Sequence, residues 1–355
     1  MKKIVITGGG TGGHVFPALA IAEEFKTRGY EVLYVGTSHG MEAKLVPEKG
    51  FRFYTVKTGA VKNQSLLKKI KTALSLLQGL LWALRFLHRE KPVAVIGVGG
   101  YVSFPISLAA FILRYPLFLQ EQNSSVGIAN SFLGKLANKI FLGFEGATNY
   151  FSKSKCVVSG NPLRPQFFET RTEKYGQLGR NLVILGGSQG AQSLNLAILK
   201  IRERLFKKFP DLKILHQAGG RNVEEFKKLA GDEFAGKHEI FPFCEDMISL
   251  YEKASLVVAR SGALTVTELI QVNRPAVLVP LPRRGQNDQE DNALFMQGLG
   301  GAVRVQQKEG FEEVLFQQIE ALFESNKLQS MQSTLARSPH SNPARKIADT
   351  ILLNL

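Results

Sequence analysis

The chain has 355 residues, of which 44% are hydrophobic and 21% charged, a composition that excludes intrinsic disorder and favours two domains. Its net charge of +15 is concentrated in residues 1–165, which carry 21 Lys and Arg against 8 Glu and no Asp. The chain has only two cysteines, far apart in sequence, which excludes a disulfide framework and a cysteine-based zinc site. It has no apolar run of about 18 residues, which excludes an integral membrane protein. We expect Cys156 and Cys244 to be buried thiols.

A glycine-rich loop follows the first predicted strand, KIVIT. Gly8, Gly10 and Gly13 satisfy the pattern G-x-G-x-x-G, which places a phosphate on the N-terminus of the following helix. A dinucleotide site also needs an acidic residue at the end of the second strand, but that strand ends in glycine and hydroxyl side chains. No G-K-[ST] follows, which excludes a P-loop. We therefore expect Thr11, Gly12 and Gly13 to bind some other phosphate-containing substrate.

His14 lies in the first turn of the predicted helix. A histidine at this position is often only a solvated surface residue. Behind a phosphate-type loop, however, it would face the ligand, and the helix N-terminus would favour a neutral imidazole that can accept a proton. We therefore interpret His14 as a candidate general base.

The segment before the loop, MKKIVIT, is too short for a signal peptide, so we expect a cytoplasmic protein.

Residues 62–90 contain an amphipathic pattern. If residues 66–89 form one helix, a projection at about 100° per residue groups its basic and polar side chains and the only tryptophan on one face. This face comprises Lys68, Lys71, Ser75, Gln78, Trp82, Arg85 and Arg89. Cations around a tryptophan suit an anionic membrane surface. The alternative is a core helix with Trp82 packed inside, and a break at Gly79 would remove the pattern.

The strand, glycine loop and helix recur at NLVILGGSQGAQ, about half the chain later. After each copy, short apolar strands alternate with helical patterns, which is typical of parallel sheets with helices on both faces. The segment SGNPLRP separates the halves. We predict an α/β protein with two tandem Rossmann-like, doubly wound domains, residues 1–163 and 164–340, and an interdomain cleft. A helix at about 341–355 is expected to pack back onto the first domain.

Seven motifs, in order along nearly the whole chain, resemble the MurG family of N-acetylglucosaminyltransferases in glycosyltransferase family 28. They are GGGTGGHVFPALA, GVGGYVSFP, EQNSSVGIAN, GNPLR, GGSQGA, ARSGALTVTEL and a glutamine-rich loop before Asn292. The resemblance implies a GT-B fold. It also implies inverting transfer of N-acetylglucosamine (GlcNAc) from UDP-GlcNAc to the C4 hydroxyl of N-acetylmuramic acid (MurNAc) in undecaprenyl-pyrophosphoryl-MurNAc-pentapeptide (lipid I), which gives lipid II.

The resemblance further implies a peripheral protein on the cytoplasmic side of the bacterial plasma membrane. Its basic first domain would face the acceptor and the anionic membrane surface, and its second domain would bind UDP-GlcNAc. Other cell-wall synthesis proteins are candidate partners.

The donor nucleotide would lie in the second domain. By resemblance, six consecutive residues bind it: Ala263, Leu264, Thr265, Val266, Thr267 and Glu268. Among them, the Glu268 carboxylate can accept hydrogen bonds from two ribose hydroxyls. Cys244 falls where the family reads uracil with main-chain groups, although a plain buried cysteine fits equally well. In the loop for the sugar hydroxyls, Gln289 matches a donor-binding glutamine, but Asp288 stands where a second glutamine is common.

The departing diphosphate would face the second glycine loop. Ser188 in that loop offers a hydroxyl together with main-chain amides, and Arg164 adds a guanidinium near the domain boundary. The sequence has no strict D-x-D pair to hold a metal-bound diphosphate. We therefore expect no essential metal and no other cofactor.

The acceptor hydroxyl needs a base as it attacks the anomeric carbon through an oxocarbenium-like state. His14 is the first candidate and Glu121, at the end of the strand PLFLQ, is the second. The resemblance places Asn123 on the donor sugar. Tyr101, in the loop GGYVSFP, is a candidate for positioning the acceptor.

Two other functions stay open. A UDP-GlcNAc epimerase would share the two-domain architecture, but it would act on a soluble sugar alone and would not need a basic face. A nucleic-acid-binding module would use the basic charge, but the sequence contains no recognisable nucleic-acid motif, so no nucleic-acid partner is expected.

Overall fold

The structure is a computed structural model that describes residues 1–56, 66–169, 179–187, 190–220, 223–282, 288–338 and 341–355. In residues 66–73 it describes the backbone only, and elsewhere in these ranges it also describes the side chains. The chain divides into two compact units. The first comprises Met1–Pro165 together with Ser341–Leu355, and the second comprises Gln166–His340.

Seven parallel strands form the sheet of the first unit: β1 (Lys3–Gly8), β2 (Glu31–Gly36), β3 (Arg52–Thr55), β4 (Ala94–Gly99), β5 (Leu117–Glu121), β6 (Lys139–Leu142) and β7 (Cys156–Val158). Their order across the sheet is β3-β2-β1-β4-β5-β6-β7. The helices are α1 (Gly12–Thr27), α2 (Glu42–Glu48), α3 (Leu66–Glu90), α4 (Ser103–Ile112) and α5 (Ile128–Leu133), with short 3-10 helices at Glu145–Tyr150 and Lys153–Lys155.

Six parallel strands form the sheet of the second unit: β8 (Asn181–Leu185), β9 (Lys213–Gln217), β10 (His238–Phe241), β11 (Leu256–Ala259), β12 (Ala276–Leu278) and β13 (Ala302–Arg304). Their order is β10-β9-β8-β11-β12-β13. The helices are α6 (Gln166–Glu169), α7 (Gln192–Lys208), α8 (Val223–Ala230), α9 (Met247–Lys253), α10 (Ala263–Gln271), α11 (Asp288–Gly298), α12 (Phe311–Glu324) and α13 (Lys327–Leu335).

The last helix, α14 (Pro343–Leu352), belongs to the first unit. Asn342 caps it by accepting hydrogen bonds from the next two free amides. Ile347 and Ile351 of α14 pack in the same buried cluster as Val15 and Ala18 of α1. The C-terminal helix therefore completes the hydrophobic core beneath α1.

The central strands of both sheets are buried on both faces, because helices cover the sheets on both sides. Every residue of β4 is buried, as are all residues of β1 except the first. In each sheet the first strand lies centrally, β1 between β2 and β4 and β8 between β9 and β11. The next strands along the chain are added on one side of this first strand, and the later strands are added on its other side. Ligands of such folds bind at the carboxyl ends of the strands next to this change of side. The predicted α/β fold with two doubly wound sheets is confirmed.

Two expectations about local structure have different outcomes. Helix α3 runs without interruption through Gly79, so the prediction of one helix is confirmed. The prediction of buried thiols is wrong, because Cys156 and Cys244 are both partly exposed. Cys156 lies in the edge strand β7, and Cys244 lies in the segment after β10.

None of the helices in the described part of the chain has the length and hydropathy that a membrane span requires.

Candidate active site

A buried carboxylate that the sequence analysis missed holds the glycine loop after β1. Glu42, the first residue of α2, accepts hydrogen bonds from the Thr37 hydroxyl at 2.7 Å, the Thr37 amide at 3.0 Å and the Gly10 amide at 3.2 Å. Burial acts to raise the pKa of Glu42, but these hydrogen bonds outweigh it and hold the pKa below its ordinary value. A Cβ at Gly9 or Gly40 would overlap the carboxylate. The loop is therefore shaped around an anion that the chain itself supplies.

The remaining residues of this loop lie at the N-terminus of α1. Thr11 is the N-cap residue and is exposed, and its side chain makes no capping hydrogen bond. Gly12 and Gly13 are the first two residues of the helix, so no carbonyl group within the helix can accept a hydrogen bond from their amides. The Gly10 amide is occupied by Glu42, so the amides at the helix N-terminus are the part of the loop that remains a candidate for binding an anion.

His14 contacts the ends of β4 and β5 from the first turn of α1. Its Nδ1 lies 2.9 Å from Oε1 of Gln122, the residue that follows β5. Its ring also lies against Gly99, where an added Cβ would be 2.8 Å from Nδ1. Gly99 has a φ of 107°, a conformation that side-chain-bearing residues rarely adopt. A glycine is therefore required at the end of β4, both for its backbone and for the imidazole.

Glu121, the last residue of β5, is only 3% exposed. Its Oε2 accepts a hydrogen bond from the Asn130 side chain at 2.9 Å, and its Oε1 accepts one from the Asn123 amide at 3.1 Å. Burial raises the pKa of Glu121 above its ordinary value, although these hydrogen bonds and the nearby His14 act to lower it. The structure thus brings the two candidate bases together, one partly exposed and one buried.

Two further predicted residues lie near the loops of the first unit. Tyr101 follows Gly100, whose Cα lies against the carbonyl of Gly9, so the loops after β1 and β4 are in contact. The Tyr101 side chain is 46% exposed. The guanidinium of Arg164 lies 5.8 Å from the ring centroid of Phe16 in α1, which places this cation beside the first turns of α1.

The face predicted for α3 is wrong at Trp82. Trp82 is partly buried and stacks on Phe86 with ring centroids 4.9 Å apart, because it packs against the core cluster beneath α3. The exposed face instead carries three leucines, Leu74, Leu77 and Leu81, which are 46–55% exposed, followed by the exposed cations Arg85 and Arg89. The side chains of Lys68 and Lys71 lie outside the described part of the structure.

In the second unit, α10 begins at Ala263 directly after β11, with Gly262 as its N-cap residue. Along this helix Ala263 and Val266 are buried, whereas Leu264, Thr265 and Thr267 are partly exposed. The hydroxyl of Thr267 donates to the carbonyl of Ala263 at 2.8 Å and so stays within the helix.

Glu268 lies one and a half turns into α10 and is partly buried. Its Oε2 accepts a hydrogen bond from the hydroxyl of Tyr251 at 2.8 Å. Tyr251, in α9, is fully buried and was missed by the sequence analysis. It fixes the position of the Glu268 carboxylate.

The start of α11 differs from the expectation. Asp288 and Gln289 lie in the first turn of α11 and not in a loop. Acidic side chains at Asp288, Glu290 and Asp291 favour a helix start here because they complement the positive end of the helix dipole. Oε1 of Gln289 accepts a hydrogen bond from the Leu281 amide at 2.9 Å.

A third residue that the sequence analysis missed, Arg260, lies at the carboxyl end of β11. Its guanidinium donates to the carbonyl of Val279 at 2.9 Å and to the hydroxyl of Ser193 at 2.8 Å. Burial lowers its pKa, and across the described residues no carboxylate pairs with it. A cation with only neutral partners at this edge of the sheet suits an anionic ligand.

The second glycine loop is backed by a chain of buried polar side chains. Asn195 donates through Nδ2 to the carbonyl of Ala218 at 2.9 Å, so its Oδ1 accepts from Nε2 of His216 at 3.1 Å. Nδ1 of His216 then accepts from Nε2 of His238 at 3.2 Å, and Nδ1 of His238 faces Nη1 of Arg202 at 3.4 Å. The carbonyl of Ala218 lies directly under Gly190. Ser188 itself lies outside the described residues.

Cys244 is held by its main chain. Its amide donates to Oε1 of Gln217 at 3.3 Å, and its thiol donates to the carbonyl of Asp246 at 3.2 Å.

Across the described ranges, no group of three or more His, Cys, Asp and Glu side chains is arranged to hold a metal ion.

Comparisons with known proteins extend over nearly the whole chain. Residues 4–142 match the glycosyltransferase family 28 N-terminal domain, and residues 181–351 match its C-terminal domain. A protein of Myxococcus xanthus is 33% identical over 353 residues, with 98% of this chain and 92% of the relative covered. A protein of Methylococcus capsulatus is 36% identical over 352 residues, with 99% and 98% covered.

Both relatives are named UDP-N-acetylglucosamine–N-acetylmuramyl-(pentapeptide) pyrophosphoryl-undecaprenol N-acetylglucosamine transferase. The crystal structure of Acinetobacter baumannii MurG superposes with a TM-score of 0.82 at 31% identity, covering 99% of both chains. The chain therefore belongs to glycosyltransferase family 28 and, within it, to the MurG family of N-acetylglucosaminyltransferases.

Proposed function

We propose that the chain transfers GlcNAc from UDP-GlcNAc to the MurNAc C4 hydroxyl of lipid I, with inversion, and so forms lipid II. The observation that carries this proposal is that a partly exposed imidazole, His14, lies near a buried carboxylate, Glu121, at the carboxyl ends of β1, β4 and β5. It occurs in a chain whose full-length relatives bear this activity in their names.

In the proposed reaction His14 is the general base. It takes the proton of the C4 hydroxyl as the oxygen forms a bond to the anomeric carbon, and the bond from that carbon to the UDP oxygen breaks with its electron pair leaving on UDP. Glu121 then stabilises the imidazolium electrostatically. This division of roles is supported by burial, because His14 is partly exposed whereas Glu121 is enclosed and already accepts hydrogen bonds from two asparagines.

In the same proposal the second unit binds the donor. Glu268 accepts hydrogen bonds from the ribose hydroxyls, and the amides at the start of α10 and the main chain of Cys244 hold the nucleotide. Gln289 and Asn123 contact the sugar. The diphosphate is held by the loop that contains Ser188 and by the Arg164 side chain.

Arg260 is a further candidate cation for the diphosphate, supported by its neutral surroundings. Replacing Arg260 with Met should raise the KM for UDP-GlcNAc about tenfold, since a hydrogen bond to a charged group contributes about 1.5–3 kcal/mol. An unchanged KM would remove Arg260 from the donor site.

The first unit would meet the membrane through α3. The exposed leucines Leu74, Leu77 and Leu81 can enter the acyl boundary, while Arg85 and Arg89 face anionic headgroups. This assignment replaces the face centred on Trp82. A peripheral position on the cytoplasmic leaflet, where a lipid-linked acceptor can be reached, follows from the proposal.

The experiment is UDP release from UDP-GlcNAc, measured with and without a water-soluble lipid I analogue. We expect release only with the acceptor, and a decrease of about 100-fold or more in kcat for His14→Ala. His39→Gln, at an exposed histidine of the same unit, is the matched control and should retain full activity. Conversion of UDP-GlcNAc to its 2-epimer without acceptor would instead support the epimerase.

A further inference from the structure

We infer that Gln122 fixes the protonation state of the individual ring nitrogens of neutral His14, placing the proton on Nδ1 and the lone pair on Nε2. Gln122 is the last member of a buried chain of side-chain amides that starts at a main-chain carbonyl. The tautomer follows from contacts alone, and its use in catalysis rests on the proposed function.

The chain of amides starts at Asn161. Its Nδ2 lies 2.9 Å from the main-chain carbonyl of Gln122, which can only accept, so Nδ2 is correctly placed as the donor. Oδ1 of Asn161 is therefore the atom that faces Gln120. It accepts a hydrogen bond from Nε2 of Gln120 at 3.0 Å. The orientation of the Gln120 amide is set by this bond, which leaves Oε1 of Gln120 as an acceptor on the other side.

The next link sets the Gln122 side chain. Its Nε2 donates to Oε1 of Gln120 and also to the main-chain carbonyl of Val98, at 2.7 Å. A reversed amide would direct Oε1 of Gln122 against these two acceptors, with no hydrogen between them. Gln120 is fully buried and Gln122 is 2% exposed, so water could not relieve that repulsion. The amide of Gln122 therefore has one allowed orientation.

That orientation decides the tautomer of His14. Oε1 of Gln122 faces Nδ1 of His14 at 2.9 Å and can only accept, so Nδ1 must carry the hydrogen. A neutral imidazole has one N–H, which means that Nε2 carries the lone pair. When Nε2 takes a proton, the bond from Nδ1 to Gln122 becomes a charge-assisted one and strengthens. Gln122 is thus a positioning residue, because it acts through His14.

The decisive measurement is the ¹⁵N chemical shifts of the two ring nitrogens of His14, recorded on the full-length protein in alkaline buffer. His14→Gln identifies the signals. We expect a protonated, pyrrole-like Nδ1 and a pyridine-like Nε2. A proton on Nε2 overturns the inference, whatever the activity of the variants.

Gln122→Met provides the functional arm, because methionine fills similar space without an oxygen acceptor. We expect the Nε2-protonated tautomer to appear and kcat to fall about tenfold or more, with an unchanged KM for UDP-GlcNAc. Gln329→Met, at an exposed glutamine of α13, is the matched control. A variant that keeps the Nδ1 tautomer overturns the role of Gln122.

The inference and the proposed function fail in different ways. If His14→Ala retains activity while the spectrum shows the expected tautomer, His14 is not the base but the amide chain is as described. If Gln122→Met does not fold, the spectrum of the unaltered protein still decides the tautomer, and a proton on Nε2 still overturns it.

Discussion

Acid should destabilise the second unit through its buried histidines. Burial, and then the neighbouring Arg202 cation, lower the pKa of His238 to about 4, and burial lowers the pKa of His216 well below its ordinary value. In the unfolded chain both titrate near pH 6.5. The stabilising contribution of these neutral imidazoles is therefore complete above about pH 6.5 and is lost as the pH falls from there towards 4, because the unfolded chain binds protons that the folded chain does not.

The two pKa values of His238 set the size of the effect. Between pH 7 and pH 5 the loss amounts to about 2 kcal/mol for His238 alone, and the lowered pKa of His216 acts in the same direction. The contribution of His238 alone is a substantial part of the roughly 5–15 kcal/mol that stabilises a typical domain.

The assay is urea unfolding of the full chain at several pH values, compared with the double variant His216→Gln, His238→Gln. Glutamine can replace both a donor and an acceptor without titrating. We expect the decrease in unfolding free energy between pH 6.5 and pH 5 to be smaller in the double variant by at least about 1.6 kcal/mol, which is the contribution of His238. His39→Gln, at an exposed histidine, should leave the slope unchanged. An equal slope in the double variant would refute the reasoning.

Three other predictions concern the proposed roles. Tyr251→Phe should raise the KM for UDP-GlcNAc about tenfold at nearly constant kcat, because Glu268 loses a hydrogen bond that orients it; an unchanged KM would speak against ribose binding by Glu268. Glu42→Gln should lower the free energy of unfolding by about 1–3 kcal/mol in urea titrations followed by Trp82 fluorescence, and no change would show that the glycine loop does not depend on the carboxylate. Leu77→Asp should reduce sedimentation with anionic vesicles while activity on a water-soluble acceptor persists; undiminished sedimentation would contradict the assignment of α3.

The fold was predictable because its signal is local and repeated. Most strands are short apolar runs, most helices follow a strand within a few residues, and the glycine loop after β1 recurs after β8. His14 and Glu121 could be proposed as candidate bases for the same reason, since the glycine loop before His14 and the apolar strand that ends in Glu121 are both short local features.

The supporting residues were not predictable because their partners are distant in sequence. Gln122 contacts His14 across 108 residues, and Glu42 reaches Gly10 across 32. A buried glutamine or glutamate has no periodic pattern that separates it from an exposed one. The prediction that Trp82 lies on the exposed face was wrong for another reason. Helix α3 has large apolar side chains around much of its circumference, so the helical projection could not indicate which of them faces the sheet.

The position of α14 has a consequence for the order in which the protein is made. A ribosome synthesises the whole second unit before Ile347 and Ile351 emerge, so the hydrophobic surface of α1 that they cover stays open in the nascent chain. The helix that carries His14 would thus gain its full support last, although it is among the first segments translated. A circularly permuted chain, in which residues 341–355 precede residue 1 through a linker, would let the first unit complete its core from one continuous stretch.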